Sequence, residues 1–268
     1  MDKTSRSNYS DAWRPSGQTI AIIQARMGST RLPGKVLAPL GQGRCLLQWV
    51  IDRLRQSQRL DRIVVATTTD PADDQLVQQC RQWSVDVFRG SVDDVLARFY
   101  DAAVTYQADI VVRVNADNPF VDPFYIDQLI ERFVQSDVQY MSYESRDGRP
   151  VMLTALSFFT ECLSMACLAE AYRTLTQPRD REHVTLGVYS RPERFSVAFL
   201  PVPACCDNPD LRLTLDTQAD LQMLGGLIDQ WGPASLQAGV EDVIKWLRSS
   251  GAFDEWMKQQ NALNPKTY

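Results

Sequence analysis

The chain has 268 residues, 44% hydrophobic and 23% charged, enough to bury a full-sized core as a soluble α/β protein. Its 33 acidic against 28 basic residues leave a net charge of −5, which argues against a general nucleic-acid or anionic-membrane binder while allowing a local basic site. Six cysteines without a C-x-x-C pair, and one histidine, His183, argue against a zinc site, a disulfide scaffold and any triad needing a second histidine.

Residues 1–18 are polar and read as a disordered leader, not a signal peptide. Short β-branched runs at 19–23, 62–66, 85–88 and 109–114 then alternate with segments at 46–58, 73–83 and 93–106 that carry apolar residues every three or four positions. The runs predict buried parallel strands and the segments predict the helices that cover them. Pro71, Asp73 and Asp74 mark the second helix start, with proline and acids at the positive end of the dipole. Right-handed crossovers then give a doubly wound, nucleotide-binding core.

After a helix at 123–133 the order changes: strands are predicted at 138–143 and 151–156, a helix at 163–175, strands at 195–202 and 211–215, and three closing helices. The most apolar long window, 150–169, opens with Pro150 and contains Glu161, so it fails as a membrane span. The expected architecture is a three-layer α/β/α fold with a mainly parallel mixed sheet. One domain is assigned to 19–232, with an excursion at 138–205 that caps the site or pairs subunits, and a helical extension at 233–268. Pro201, Pro203 and Pro209 mark one loop, and the adjacent Cys205 and Cys206 within it are read as incidental.

Directly after the first strand stands Gln24-Ala25-Arg26-Met27-Gly28-Ser29-Thr30-Arg31-Leu32-Pro33-Gly34-Lys35. The carboxyl end of a buried strand is where open α/β sheets bind ligands. Gly28 and Gly34 let backbone N–H groups approach phosphates, and Arg26, Arg31 and Lys35 supply the charge a triphosphate needs. Gln24, Ala25, Arg26, Gly28, Ser29, Arg31, Gly34 and Lys35 are therefore nucleotide-binding candidates. Residues 29–36 nearly match the Walker loop, but Ser29 replaces its first glycine and Val36 its final hydroxyl residue; the three-glycine dinucleotide fingerprint is also missing.

The segment Q-A-R-M-G-S-T-R-L-P-G-K resembles the signature of the cytidylyltransferases that make CMP-activated acidic sugars, most closely the spore coat polysaccharide biosynthesis protein F branch. Related uridylyl- and thymidylyltransferases carry Gly-Gly where this chain has Ala25-Arg26, which favours CTP. The resemblance runs over 19–224 and implies a nucleotide-diphospho-sugar transferase (GT-A-like) fold, a cytoplasmic homodimer, and CTP and a small sugar as partners, with neither nucleic acid nor membrane. Phe88-Arg89-Gly90-Ser91-Val92-Asp93-Asp94-Val95-Leu96-Ala97-Arg98 is similar to the family's F-R-G-S-x-D-D-V-L-x-R, which places Ser91, Asp94 and Arg98 beside the nucleotide. Ser91 and the acids also suit a plain helix cap. The threonines at 67–69 end the second strand on the same edge, as contacts to the base or as ordinary turn residues.

Asp117 and Asp216 each follow a predicted strand, in blocks that resemble the family's G-D-x-P and V-D-T-P-E-D. Two carboxylates from different strand ends can share one Mg²⁺ with phosphate oxygens, so this pair is assigned to the metal, although either alone suits a cap or turn. Lys35, Arg26 and Asp117 form the catalytic set for in-line attack of a sugar hydroxyl on the α-phosphorus of CTP, a reaction that needs no protein nucleophile.

Arg179-Asp180-Arg181-Glu182-His183-Val184-Thr185 is similar to S-E-R-E-H-V-T. Arg181, Glu182 and His183 are sugar-binding candidates, the alternative being an internal ion pair that fixes a dimer arm. Two departures concern the acceptor. The family's D-G-L-D-V-E-V-F aligns with residues 147–156, which lack both acids, and Asn115-Ala116 and Asn118 surround Asp117 in place of Thr-Gly and Cys. Two alternatives stay open: a transferase with another nucleotide or acceptor, and a catalytically reduced nucleotide-binding partner.

Overall fold

Strand β1 (Gln18–Gln24) sends Ile20 and Ile22 to one face of the sheet and Ala21 and Ile23 to the other, all fully buried. An apolar run without polar alternation is what a central strand covered on both faces requires. The computed structural model describes residues 17–249 and 252–264, so the leader expected at 1–18 lies almost wholly outside the described residues.

In chain order β1 is followed by a small hairpin of β2 (Pro39–Gly41) and β3 (Arg44–Cys45), then α1 (Leu46–Leu54), β4 (Arg62–Thr68), α2 (Asp74–Gln82), β5 (Asp86–Gly90), α3 (Val95–Thr105), β6 (Ala108–Asn115) and α4 (Pro123–Val134). Next come β7 (Tyr140–Glu144), β8 (Glu161–Ser164), α5 (Met165–Thr174), α6 (Pro178–Glu182), α7 (Leu186–Tyr189) and β9 (Val197–Pro201), and finally α8 (Gln218–Trp231), α9 (Val240–Ser249) and α10 (Ala252–Leu263).

The main sheet has the order β5-β4-β1-β6-β8-β7-β9. β5, β4, β1 and β6 run parallel; β8 is antiparallel to both its neighbours, and β9 runs parallel to β7. Residues of α1, α4, α8 and α9 pack on the Ala21 and Ile23 face, and those of α3 and α5 on the Ile20 and Ile22 face. The expected three-layer α/β/α fold with a mainly parallel mixed sheet is therefore the fold observed. From β1 the chain moves outward through β4 to β5 and returns across β1 to β6. The switch point between the carboxyl ends of β1 and β6 is where such sheets open a ligand crevice.

Three expectations after position 138 are corrected. Residues 151–156 do not form a sheet strand: Val151–Leu153 is a 3-10 turn, and Ala155 makes only an isolated bridge to Arg212. Residues 211–215 likewise join no sheet; Leu213 N donates to Ala155 O at 2.7 Å and Leu215 N to Asp117 O at 2.8 Å. An apolar run reports burial, and both segments are buried against partners other than a sheet neighbour. The strand that does pair, β8, lay partly inside the helix predicted at 163–175, because the apolar residues on either side of the Ser164 cap merge into one pattern.

The segment at 233–264 is tied into the same core. Buried Arg53 donates to the carbonyls of Val121, Leu236 and Ala238 at 2.7, 2.9 and 2.8 Å, and Asp122 accepts from Val240 N at 2.8 Å. No described helix is long and apolar enough to cross a membrane.

Candidate active site

The cationic loop leaves β1 at the switch point and is held on both sides. Ala25 N donates to Ala66 O of β4 at 3.4 Å, and Ala116 N, just past β6, donates to Gln24 O at 3.3 Å. Gly34 closes the loop: its N–H reaches Met27 O at 2.8 Å, and its φ of +73° lies in the left-handed region that disfavours a side chain.

A third anchor is Asp73. One carboxylate oxygen accepts Met27 N at 2.7 Å; the other accepts Thr67 Oγ1 at 2.8 Å, Thr68 N at 3.0 Å and the Thr68 hydroxyl. Burial alone would raise the Asp73 pKa, but the donors from Met27, Thr68 and Thr67 outweigh it and hold the carboxyl below its ordinary range. Sequence analysis assigned Asp73 only to a helix start. The nearby threonines at the end of β4 were the available signal, since a carboxylate surrounded by hydroxyls and N–H groups is a clamp.

Lys35 is where the loop meets the downstream carboxylates. Its Nζ lies 3.0 Å from Asp117 Oδ2, 2.9 Å from Leu215 O and 3.5 Å from Asp216 Oδ1, while Arg31 reaches the same Asp216 oxygen at 3.0 Å. Asp117 follows β6 in a turn closed by Asn118 N to Asn115 O at 3.2 Å. Asp216, only 2% exposed, is set by the residues around it: Asp216 N donates to Asp220 Oδ2 at 3.0 Å, and Arg212 grips Asp220 with two 2.9 Å bonds. Both members of that ion pair are fully buried. The structure thus brings Lys35, Arg31, Asp117 and Asp216 to one point outside the β1 and β6 ends. Two carboxylates facing one position already held by a cation are hard oxygen donors of the number Mg²⁺ takes beside phosphate oxygens.

The other candidates divide. Gly28 and Arg26 are exposed on the loop and Ser29 is half-buried there. Asp94 caps α3 by accepting Ala97 N at 2.8 Å, and Ser91 Oγ accepts Asp94 N at 3.0 Å, so both side chains have the capping partners sequence analysis left as the alternative. Arg98 is buried beneath Gly90, donates to Ser91 O, and leaves Nε and one terminal nitrogen without a partner among the described residues. Burial, with the charge of Arg26 adding, brings its pKa down to about 10.

Arg181, Glu182 and His183 do not gather. The Arg181 guanidinium is bonded to Asp94 Oδ2 and lies 5.0 Å over the Tyr172 ring, and Glu182 is exposed. His183 lies within the field of Arg113: burial first, then the Arg113 and Arg179 charges, lower its pKa against the pull of Glu182.

Beside the carboxylates a cleft runs between β6 and the 151–161 segment, lined by residues that include Arg113, Asn115, Asn118, Thr160 and Glu161. Arg113 and Glu161 form an ion pair across β6 and β8, and Tyr140 OH donates to Glu161 Oε1 at 2.7 Å. β8 runs directly into α5, with Glu161 as its first residue and Thr160 just before it.

Residues 20–221 match the family described as Cytidylyltransferase. The spore coat polysaccharide biosynthesis protein SpsF of Bacillus subtilis is 36% identical over 216 residues, 79% of this chain and 86% of its own. An uncharacterized protein of Methanocaldococcus jannaschii is 38% identical over 204 residues, 76% and 80% of the two chains. A cytidylyltransferase structure from Leptospira borgpetersenii serovar Hardjo-bovis superposes with a TM-score of 0.80 at 29% identity, over 94% of this chain and 99% of that one. With the fold, the loop and both aspartate blocks in order along the matched region, the chain belongs to the cytidylyltransferase family of nucleotidyltransferases.

Proposed function

We propose that this protein transfers the cytidylyl group of CTP to a hydroxyl of an acidic sugar, giving a CMP-sugar and pyrophosphate for surface polysaccharide biosynthesis. The observation that carries this reading is the convergence of Lys35 with Asp117 and Asp216 at the β1/β6 switch point, 3.0 and 3.5 Å from its ammonium. The sugar oxygen bonds to the α-phosphorus as the bond to the pyrophosphate oxygen breaks in line, and the hydroxyl proton is released.

The loop N–H groups, with Gln24, Ala25, Gly28, Ser29 and Gly34, wrap the phosphates. Arg26, Arg31 and Lys35 neutralise the charge that builds on the leaving pyrophosphate. Asp117 and Asp216 would hold Mg²⁺, which when bound supplies positive charge to the phosphate oxygens. Ser91, Asp94 and Arg98 support the nucleotide from the β5 side, where Asp94 and Ser91 hold the start of α3. Of the Arg181-Glu182-His183 run, His183 is the member that feels the charge of Arg113, which lines the acceptor cleft. The protein works in the cytoplasm as a homodimer, with CTP and the sugar as its partners.

A screen of acidic sugars with CTP and Mg²⁺, read by pyrophosphate formation, tests the reaction. Pyrophosphate that requires all three components is expected. Protection by another nucleoside triphosphate in preference to CTP, in a Mg²⁺-dependent thermal-unfolding assay, would overturn the nucleotide assignment.

A further inference from the structure

A second cavity, of about 460 Å³, opens between the turn that follows β7, the segments 153–156 and 206–211, and α10. Its size falls within the ~300–1,000 Å³ of small-molecule sites. Thr154 and Leu156 border both this cavity and the acceptor cleft, but the loop after β1, Asp117 and Asp216 do not line it. The floor is aliphatic, with Ala155, Leu156, Cys206 and Leu211 all buried.

The polar lining selects the class of ligand. Arg146 and Arg149 share it with Asp147, Asp207 and Asp210. An anion there meets three carboxylates and a cation meets two guanidiniums, so neither sign of charge is favoured. No aromatic ring is among the described residues that line the cavity, so a nucleotide base finds nothing to stack on. An alkyl chain long enough to fill the space strips water from these charged groups and returns no hydrogen bonds. A neutral ligand rich in hydroxyls suits the mixture, because every hydroxyl both donates and accepts.

Two amides on the wall supply a second observation. Asn208 Oδ1 accepts Asp210 N at 2.9 Å, and Asn261 Nδ2 donates to Asp210 O at 2.9 Å. The backbone of one residue thus fixes both side chains, and among the described residues it leaves the Asn208 NH₂ as a donor and the Asn261 oxygen as an acceptor. A vicinal diol complements such a pair, one hydroxyl accepting from Asn208 and its neighbour donating to Asn261. We propose that this cavity is a binding site for a neutral saccharide of one or two rings, held by Asn208 and Asn261 through a diol, with a C–H face of the ring on the aliphatic floor. Arg146, whose side chain is 87% exposed and whose Nε lies 3.9 Å from Asp207, is a further donor to it. The inference goes beyond the cytidylyltransfer reading and does not depend on it.

The test titrates the full chain with maltose, lactose, cellobiose and N,N′-diacetylchitobiose by calorimetry, alone and in the presence of CTP and Mg²⁺. At least one disaccharide is expected to bind saturably, to raise the unfolding midpoint as a ligand of the folded state does, and to keep its affinity within about twofold when CTP and Mg²⁺ are added. Asn261→Leu removes the acceptor and Asn208→Ala the donor; each is expected to weaken that binding by about three- to tenfold, as loss of a neutral hydrogen bond does. Both variants are compared with wild type by unfolding midpoint without sugar, and a variant that does not fold is replaced by Arg146→Met, an exposed position expected to weaken binding by a similar factor. Absence of binding by all four disaccharides overturns the proposal, and so does binding that the folded variants leave unchanged, which places the sugar elsewhere. Neither result touches the transfer reaction, which is read separately by pyrophosphate release.

Discussion

Lys35 and Asp117 are 82 residues apart in the chain and meet at 3.0 Å, with the ammonium between two carboxylates at the mouth of the β1/β6 crevice. Lys35 belongs to the loop after β1, Asp117 to the turn after β6, and the parallel pairing of these two strands from Gln18 to Gln24 fixes their distance. The sheet register, more than any local preference, brings these two side chains together.

Replacing Lys35 with methionine removes charge where pyrophosphate would leave. Preorganised donors of this kind are worth ~10²–10³ in kcat, so Lys35→Met should lose at least about 100-fold in pyrophosphate release. Asp216 retains Arg31 at 3.0 Å and Arg212 at 3.7 Å. The unfolding midpoint should therefore move by only a few degrees, and a kcat loss no larger than the loss of folded protein would refute the assignment.

Asp73→Asn should loosen the loop. Every partner of Asp73 is a donor or a hydroxyl, so an amide NH₂ facing Met27 N or Thr68 N has nothing to bond. A cost of ~1–3 kcal/mol is expected near neutral pH, with a higher KM for CTP. Because the folded pKa is depressed below 3.8, the stabilisation is complete above that value and is lost as pH falls through the lower folded pKa. Urea unfolding of wild type and variant should differ at pH 7 and converge in strong acid; a gap that persists there contradicts the linkage.

Arg212→Met leaves Asp220 fully buried without its cation. Breaking such a pair costs ~3–5 kcal/mol, measurable by denaturant unfolding. Adding Asp220→Leu should recover only part of this, because Asp220 Oδ2 also accepts Asp216 N at 3.0 Å and Thr217 N at 2.8 Å. Full recovery would mean that Asp220 does not orient Asp216.

Arg181→Met separates the two readings of the Arg-Glu-His run. The guanidinium is bonded to Asp94 at the start of α3, so the expected result is a stability loss of about 1 kcal/mol and a sugar KM within about twofold of wild type. A large rise in sugar KM at unchanged stability would return Arg181 to the acceptor.

The sequence by itself determined the first half of the fold, because β1, β4 and β6 are apolar, β-branched runs whose burial on both faces shows in the order of residues, while β5 at the sheet edge is half-buried and mixes polar with apolar residues. It also showed the loop after β1, a contiguous segment whose glycines and cations are legible in order. Residues 211–215 and 151–156 are equally apolar, yet they are buried without joining the sheet, since hydrophobicity registers removal from water and not the choice of backbone partner. Only the tertiary structure decided that Asp73 clamps the loop, that Arg181 turns to Asp94, and that Arg113, Thr160 and Glu161 line a recess beside Asp117. Each of these depends on side chains far apart in the chain, and their proximity is a property of sheet order and crossover, which no local spacing encodes.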